Sequence, residues 1–344
     1  MADARSVFAG ARSGYHAAVN VVVVFAPSPV LTVTVEGREN VPDVHLHAGG
    51  QGVWQARMLL ALGSSVTLCC VLTGETGQVL GHLVGDEGIK VLAVRRPGRG
   101  AAYLHDRRGG ERVHLAETQG DPLSRHDLDE LYDLTLRAGL GADVIILSGP
   151  SGEDVVPADV YRRLAADLRA TGRLVIADLS GDRLTAALRG RVSVVKVSDA
   201  ELLADGRITD LSIEHVIPAM YALQHEGADT VIISREERPL LLLTNGTLSE
   251  VHVPTMQIAD SRGAGDSLTA GVAATLAAGG TIEESVALGA AAGALNVTRH
   301  GLGTGRAETV RTLRDLVSIY PVTEFPAITR TLTPDELAQW VKEQ

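Results

Sequence analysis

Short runs of β-branched and other apolar residues alternate along this chain with stretches whose apolar positions recur every three or four residues. The runs NVVVVFA (20–26), SVTLCCVL (65–72), ADVIILSG (142–149), GRLVIADLS (172–180), VSVVKVS (192–198), DTVIISRE (229–236) and PLLLLTNG (239–246) predict strands. Between several of them lie helical patterns. GVWQARMLLALG (52–63) stops at Gly63, and ADVYRRLAADLRATG (158–172) puts Tyr161, Leu164, Ala165 and Leu168 on one face before Gly172. Strands continuous in apolar residues and alternating with helices predict a parallel sheet covered on both faces.

Two segments break this rhythm. Ser28–Gly50 and Arg99–Asp121 alternate polar and apolar residues around the turn signals Glu36-Gly37 and Gly109-Gly110. They predict short antiparallel strands with one wet face, inserted as a small lid. The organisation expected is an N-terminal extension over 1–18, an α/β body over 19–320 with lid segments at about 28–48 and 99–118, and a tail over 321–344. In the tail, Thr333, Pro334 and Glu336 form the N-cap, first turn and capping box of a short helix.

Composition narrows the function. Aromatic residues make up 3% of the chain, so the core is built from aliphatic side chains. A formal net charge of -11 argues against nucleic acid as a partner. The first twenty residues carry no continuous apolar leader core, and the run Val19–Ala26 is too short to span a membrane, so a cytoplasmic protein with no membrane partner is expected. Cys69 and Cys70 are neighbours in one strand and point to opposite faces, which suits buried thiols better than a disulfide.

The most informative stretch is DSRGAGDSLTAG (260–271), which follows a strand and opens a long apolar helix. Gly263 and Gly265 expose backbone amides at the helix N-terminus, where an anion is favoured. Asp266 beside them fits a base that deprotonates an attacking hydroxyl while the amides hold a phosphoryl group. Taken alone, the twelve residues equally allow Asp266 to be a local cap. Neither a P-loop pattern nor a dinucleotide-binding glycine pattern after the first strand is present.

DSRGAGDSLTAG resembles the C-terminal signature of the PfkB carbohydrate kinases, a family with the ribokinase-like three-layer α/β/α fold, a mostly parallel sheet and a small β-strand lid. AGGQGVWQARMLLALG followed by LTGETG resembles the family's N-terminal signature. VVKVSDAELL and VIISREERPLLLL fall where the family has its nucleotide-side segments, and LSGPSGEDVVPADVYRRL and IADLSGDRL resemble the phosphofructokinase and tagatose-6-phosphate kinase branch. The likeness spans roughly residues 20 to 315.

It implies Asp266 as catalytic base and Gly263, Ala264 and Gly265 as anion hole. It implies ATP contacts at Ser198, Glu201, Ser234, Arg235 and Asn296, with Glu201 organising Mg2+ through water. It places Gly49, Gly50, Gln51, Trp54 and Arg262 at the acceptor. Residues Asn296 to Gly301 fall near the family's adenine pocket. ATP, Mg2+ and in some members a monovalent cation are the cofactors implied, and a sugar or sugar phosphate is the partner, with a homodimer through the lid. The reaction implied is that of a 1-phosphofructokinase.

Three positions depart from the family pattern. Val30 stands where a sugar-gripping Asp is usual, Gln51 where sugar-phosphate kinases carry a Lys, and Trp54 where an Asn is usual. A different acceptor, such as an unphosphorylated sugar or a nucleoside, and a non-catalytic ligand sensor therefore stand as alternatives. Ser198 also replaces an Asn, and Arg235 and Arg238 replace glycine-rich sequence. Arg262 is read as a phosphate contact, against a surface ion pair. His45, His47, His105 and His114 on the lid read as a solvated face before a metal pair, and Arg99, Arg107 and Arg108 as solvated loop residues before a source of cationic charge for a substrate phosphate.

Overall fold

The computed structural model describes residues 20–38, 41–152, 155–254, 256–298 and 302–322. The expected N-terminal extension, the C-terminal helix and residues 299–301 lie outside them. In chain order the elements are β1 (Val21–Phe25), β2 (Val30–Arg38), β3 (Val41–Gly49), α1 (Gln51–Ala61), β4 (Ser65–Thr73), α2 (Gly74–Asp86), β5 (Lys90–Arg96), β6 (Ala102–Asp106), β7 (Val113–Thr118), α3 (Arg125–Leu140) and β8 (Val144–Ser148). There follow α4 (Ala158–Ala170), β9 (Leu174–Asp178), α5 (Gly181–Arg189), β10 (Val192–Ser198), α6 (Asp199–Ala204), α7 (Ile213–Glu226), β11 (Ala228–Arg235), β12 (Arg238–Thr244) and β13 (Thr247–His252). The last are α8 (Ala264–Ala277), α9 (Ile282–Val297), α10 (Ala307–Arg314) and β14 (Ser318–Pro321).

The main sheet has ten strands in the order β14-β13-β12-β11-β10-β9-β8-β1-β4-β5. From β5 to β11 every neighbouring pair is parallel, and β12, β13 and β14 add antiparallel strands at one edge. Both faces are buried. Val23 and Phe25 of β1 pack into one apolar cluster with Tyr161, Leu164 and Leu168 of α4, while Val22 and Val24 join the other with Met58 and Leu59 of α1. Cys69 and Cys70 divide between the two clusters in the same way, both as free, buried thiols.

Chain order reverses direction at β1. The chain runs from β1 to β4 and β5 on one side, then returns to β8 beside β1 and proceeds outward through β9, β10 and β11. Such a switch point opens a crevice beyond the C-terminal ends of the strands.

The lid is a separate four-stranded sheet in the order β3-β2-β6-β7. Two antiparallel hairpins were expected and are present, but their junction, β2 with β6, is parallel. The difference arises because β6 enters the lid from the end of β5, after a long excursion through the body, in the same direction as β2. Among the described residues no helix is long and apolar enough to cross a membrane.

Candidate active site

The turn before α8 is set by Gly263, whose φ of 71° is left-handed and suits a residue with no Cβ. The first intrahelical bond runs from the Ser267 amide to the Gly263 carbonyl at 2.9 Å. The amides of Ala264, Gly265 and Asp266 thus belong to the unpaired first turn, at the positive end of the helix. Asn296 of α9 fixes this turn from behind. Its Nδ2 donates to the Arg262 carbonyl at 2.6 Å, and its Oδ1 accepts from the Gly303 amide at 3.0 Å.

Beneath the turn lies a buried polar network. Asp178, at the end of β9, accepts from Lys196 Nζ at 3.1 Å, from Gln55 at 2.9 Å and from Thr269 Oγ1 at 2.7 Å. Gln55 Oε1 accepts in turn from the Ser148 hydroxyl. Thr269 lies one helical turn beyond Asp266, so the network ties α8 to β8, β9, β10 and α1. Lys196 also lies against the backbone of Gly265.

Asp266 is buried, and its pKa is pushed up to about 8. Burial is the main cause, and the negative charges of Asp178 and Glu201 add to it. Lys196 and a hydrogen bond from Gln51 act the other way. For Lys196, burial works against the ammonium, but Asp178, Glu201 and Asp266 outweigh it and raise its pKa. The arrangement yields a fixed cation under the turn before α8 and, beside it, a carboxyl far more basic than usual.

The crevice at the switch point is a cleft of about 350 Å³. Ala26, Ser28 and Pro29 beyond β1, Gly149, Pro150 and Ser151 beyond β8, and Gly50 to Trp54 at the start of α1 form its floor. The lid contributes Val30, Thr32, Tyr103, Arg112 and Glu117, and Arg262 closes it beside the turn before α8. Gln51 connects the cleft to Asp266. Its Oε1 accepts from the Gly149 amide at 2.7 Å, and its side chain also bonds Asp266. Gln51 thus touches both the cleft and Asp266.

Of the residues expected at the acceptor, Gly50, Gln51, Trp54 and Arg262 line this cleft. Gly49 does not: it is buried in β3, packed against Thr32. Arg262 is half-exposed and its Nε lies 3.5 Å from Asp260, so it is both an ion-pair partner and a cleft residue.

Two of the lid arginines are exposed and held in ion pairs. Arg99 lies 3.4 Å from Asp121 and Arg108 2.6 Å from Asp106. Arg112 is the lid arginine that faces the cleft. It follows a glycine turn and precedes a register shift between Leu104 and His105, which breaks the alternation that would have revealed its side.

The lid histidines form no metal group among the described residues. His45 stacks on His47 with ring centroids 6.0 Å apart and pairs with Asp43 at 3.2 Å. His105 shares a buried 3.1 Å hydrogen bond with Thr34, and burial, with Arg112 next, lowers its pKa to about 4.

On the nucleotide side, Ser198 and Glu201 form a capping box at the head of α6. Ser198 Oγ accepts from the Glu201 amide at 3.1 Å, and Glu201 Oε2 accepts from the Ser198 amide at 2.7 Å. Ser234 pairs with Ser198 across the parallel strands and so lies beside them.

Two residues expected at ATP, Arg235 and Asn296, are buried. Arg235 is buried, turned toward Asp199 at 3.7 Å, where Arg238 already donates at 2.6 Å. A register shift between Ile233 and Arg235 accompanies this inward turn. Asn296 is fully buried with both ends of its amide bonded to backbone, which makes it a strut for the turn.

Known proteins give a consistent set of likenesses. A family model described as pfkB family carbohydrate kinase matches residues 22–309. The ATP-dependent 6-phosphofructokinase isozyme 2 of Escherichia coli is 28% identical over 259 residues, covering 74% of this chain and 82% of the relative. The 1-phosphofructokinase of Bacillus subtilis is 26% identical over 260 residues, 75% of this chain and 84% of the relative. Among solved structures, phosphofructokinase-2 from Escherichia coli in complex with potassium superposes with a TM-score of 0.75 at 25% identity, covering 87% of this chain and 99% of that one. A possible 1-phosphofructokinase from Thermotoga maritima gives a TM-score of 0.76 at 17% identity, covering 88% and 100%.

Proposed function

The chain belongs to the pfkB family of ATP-dependent carbohydrate kinases, and from that premise we propose that it transfers the γ-phosphoryl group of ATP to a hydroxyl of a sugar phosphate. The observation that carries this reading is the union, on one helical turn, of unpaired amides with a carboxyl whose pKa burial has raised to about 8. A carboxylate of that basicity is suited to take a proton near neutral pH.

The acceptor hydroxyl takes the place of Gln51 beside Asp266. Its O–H bond breaks as the proton passes to an Asp266 oxygen, and the freed oxygen bonds the γ-phosphorus. The bond from that phosphorus to the β–γ bridging oxygen breaks, and ADP leaves with the electron pair. The amides of Gly263, Ala264 and Gly265 hold the phosphoryl oxygens in the meantime, with the Lys196 charge beneath them.

The residues present fit a magnesium held mainly by nucleotide phosphates, because the described residues offer no cluster of three or more metal-binding side chains. Glu201 would hold it through water, using Oε1, since Oε2 is bonded to Ser198. Magnesium supplies neutralisation of the phosphate charge.

Fructose 1-phosphate is the first acceptor to test. A second reading, a different acceptor such as an unphosphorylated sugar or a nucleoside, is favoured by Val30 and Trp54, both on the cleft wall. A coupled ADP-release assay over a panel of phosphorylated and unphosphorylated sugars separates the two. Asp266→Asn should abolish product formation with every acceptor while leaving ATP binding near wild type. Retained turnover would remove Asp266 from the mechanism.

A homodimer through the lid belongs to the same proposal. The lid face turned from the cleft carries Val33 opposite Leu46 and Val35 opposite Val44. Leu46 and Val44 are 48% and 59% exposed, an apolar surface that a second copy would cover.

A further inference from the structure

We infer that Gln55 of α1 is a positioning residue for phosphoryl transfer: with Thr269 of α8 it pins the buried carboxylate of Asp178, which in turn holds Lys196 beneath Gly265 and sets the field at Asp266. This role presupposes the kinase reading and adds to it a residue that lies behind the cleft and touches no substrate.

Gln51 and Gln55 stand one helical turn apart on α1, and both reach the end of β8. The Gln51 oxygen accepts from the Gly149 amide at 2.7 Å, and the Gln55 oxygen accepts from the Ser148 hydroxyl. An ionised carboxyl can only accept, so the nitrogen of the amide is the end that faces it. Gln51 bonds Asp266, and Gln55 Nε2 donates to Asp178 at 2.9 Å. Gln55 is fully buried, so water cannot replace either of its bonds.

Asp178 is buried as well. Its Oδ1 faces Lys196 Nζ at 3.1 Å, and its Oδ2 is shared by Gln55 Nε2 and Thr269 Oγ1 at 2.9 and 2.7 Å. The two neutral donors come from the helices that carry Gln51 and Asp266, so one oxygen anchors both. Lys196 of β10 favours the Asp178 carboxylate, while burial and the charges of Glu201 on α6 and Asp266 on α8 oppose it. A buried carboxylate that loses a donor takes up a proton more readily. Once protonated, Asp178 no longer offsets Lys196, and the negative charge that raises the Asp266 pKa is gone. The two glutamines therefore act in opposite senses. Gln51 favours the Asp266 carboxylate directly, and Gln55 opposes it by keeping Asp178 charged.

The test measures kcat/KM against pH in wild-type and Gln55→Met enzymes, a change that keeps the length of the side chain and removes its donor. The rise in kcat/KM should move down by about one pH unit. It should move up in Gln51→Ala, and a general loosening of the fold would not shift the two variants in opposite directions. The plateau of kcat should fall about tenfold in Gln55→Met, because Lys196 is no longer held in place. The KM for ATP and for the acceptor should stay within about threefold of wild type.

A lowered kcat with the rise at its wild-type pH, or a rise moved upward, would overturn the role and leave the kinase reading intact. If Gln55→Met does not fold, Thr269→Val removes the other donor to the same oxygen, and the direction of its shift decides in the same way. If the wild type turns over no acceptor, the proposed function falls. Gln55 is then judged by NMR titration of the Asp266 carboxyl carbon, identified by its loss in Asp266→Asn. A midpoint lowered in Gln55→Met supports the role, and an unchanged or raised midpoint refutes it.

Discussion

Lys196 Nζ lies 2.5 Å from the point where a Cβ on Gly265 would stand. Gly265 is therefore required by a neighbour, whose ammonium leaves no room for a side chain. The buried ammonium fills the space a side chain would take, and in doing so it brings positive charge against the underside of the anion-binding turn.

Gly265→Ala should displace that ammonium from Asp178, from which it now stands at 3.1 Å. The cost in stability should be about 1–3 kcal/mol, the usual range for overpacking. Turnover should fall at least tenfold, because the charge that offsets Asp178 beside Asp266 has moved. In a Lys196→Met background the same substitution should add little further loss, since the collision involves the ammonium. Thermal denaturation and kcat of the four proteins form the cycle that checks this.

The pH dependence follows from the same cluster. With Asp266 as the proposed proton acceptor and its pKa at about 8, kcat/KM should rise with pH and level off above that value. Gln51→Ala removes a hydrogen bond that favours the carboxylate, and the rise should move to higher pH. A profile that is flat from pH 6 to 9, or one that does not move in the variant, would contradict this assignment.

A raised carboxyl pKa also makes stability depend on pH. Unfolded, Asp266 titrates near its ordinary value of 3.8; folded, near 8. Between these values the folded protein binds more protons than the unfolded one, so this group's contribution to stability falls as pH rises. Asp266→Asn carries no such dependence. It should melt at least a few degrees above the wild type at pH 8, and the gap should close toward pH 4. Calorimetric scans at the two pH values measure it.

Much of the body was legible in the sequence, for a physical reason. Strands buried on both faces need unbroken aliphatic runs, and NVVVVFA and ADVIILSG became the two strands that flank the cleft. The turn of α8 was legible because bare backbone followed by an acid has few structural explanations. Arg112 was not, since a register shift in the lid separates it from the alternation around it. Lys196 stands in the apolar run VSVVKVS, and nothing local announces that it will sit beneath Gly265 from another strand. Arg235 misled for the opposite reason. A cation at a place associated with phosphates reads as a ligand group, whereas here Asp199 draws it into the body.

The lid offers a prediction about assembly. If a second copy covers Val44 and Leu46, light scattering should give twice the chain mass of 36.1 kDa. Leu46→Glu places a charge on that surface and should yield a monomer with an unaltered melting temperature. A wild-type protein that is monomeric at assay concentration would dispose of the lid dimer.

Asn296 gives the sharpest separation between a contact and a strut. As an ATP ligand, its loss would raise the KM for ATP. As a strut, its loss leaves the Arg262 carbonyl and the Gly303 amide, now bonded at 2.6 and 3.0 Å, without partners in a buried site. Each unsatisfied group costs about 1–3 kcal/mol. Asn296→Leu should therefore lower the melting temperature and loosen the backbone that carries Gly263. The anion hole would still form, but in fewer molecules at any moment, so kcat should fall about tenfold or more with the KM for ATP nearly unchanged. Asn296→Asp keeps the acceptor for Gly303 and loses the donor to Arg262, and should lie between the two. A rise in the KM for ATP with kcat preserved would instead return Asn296 to the nucleotide.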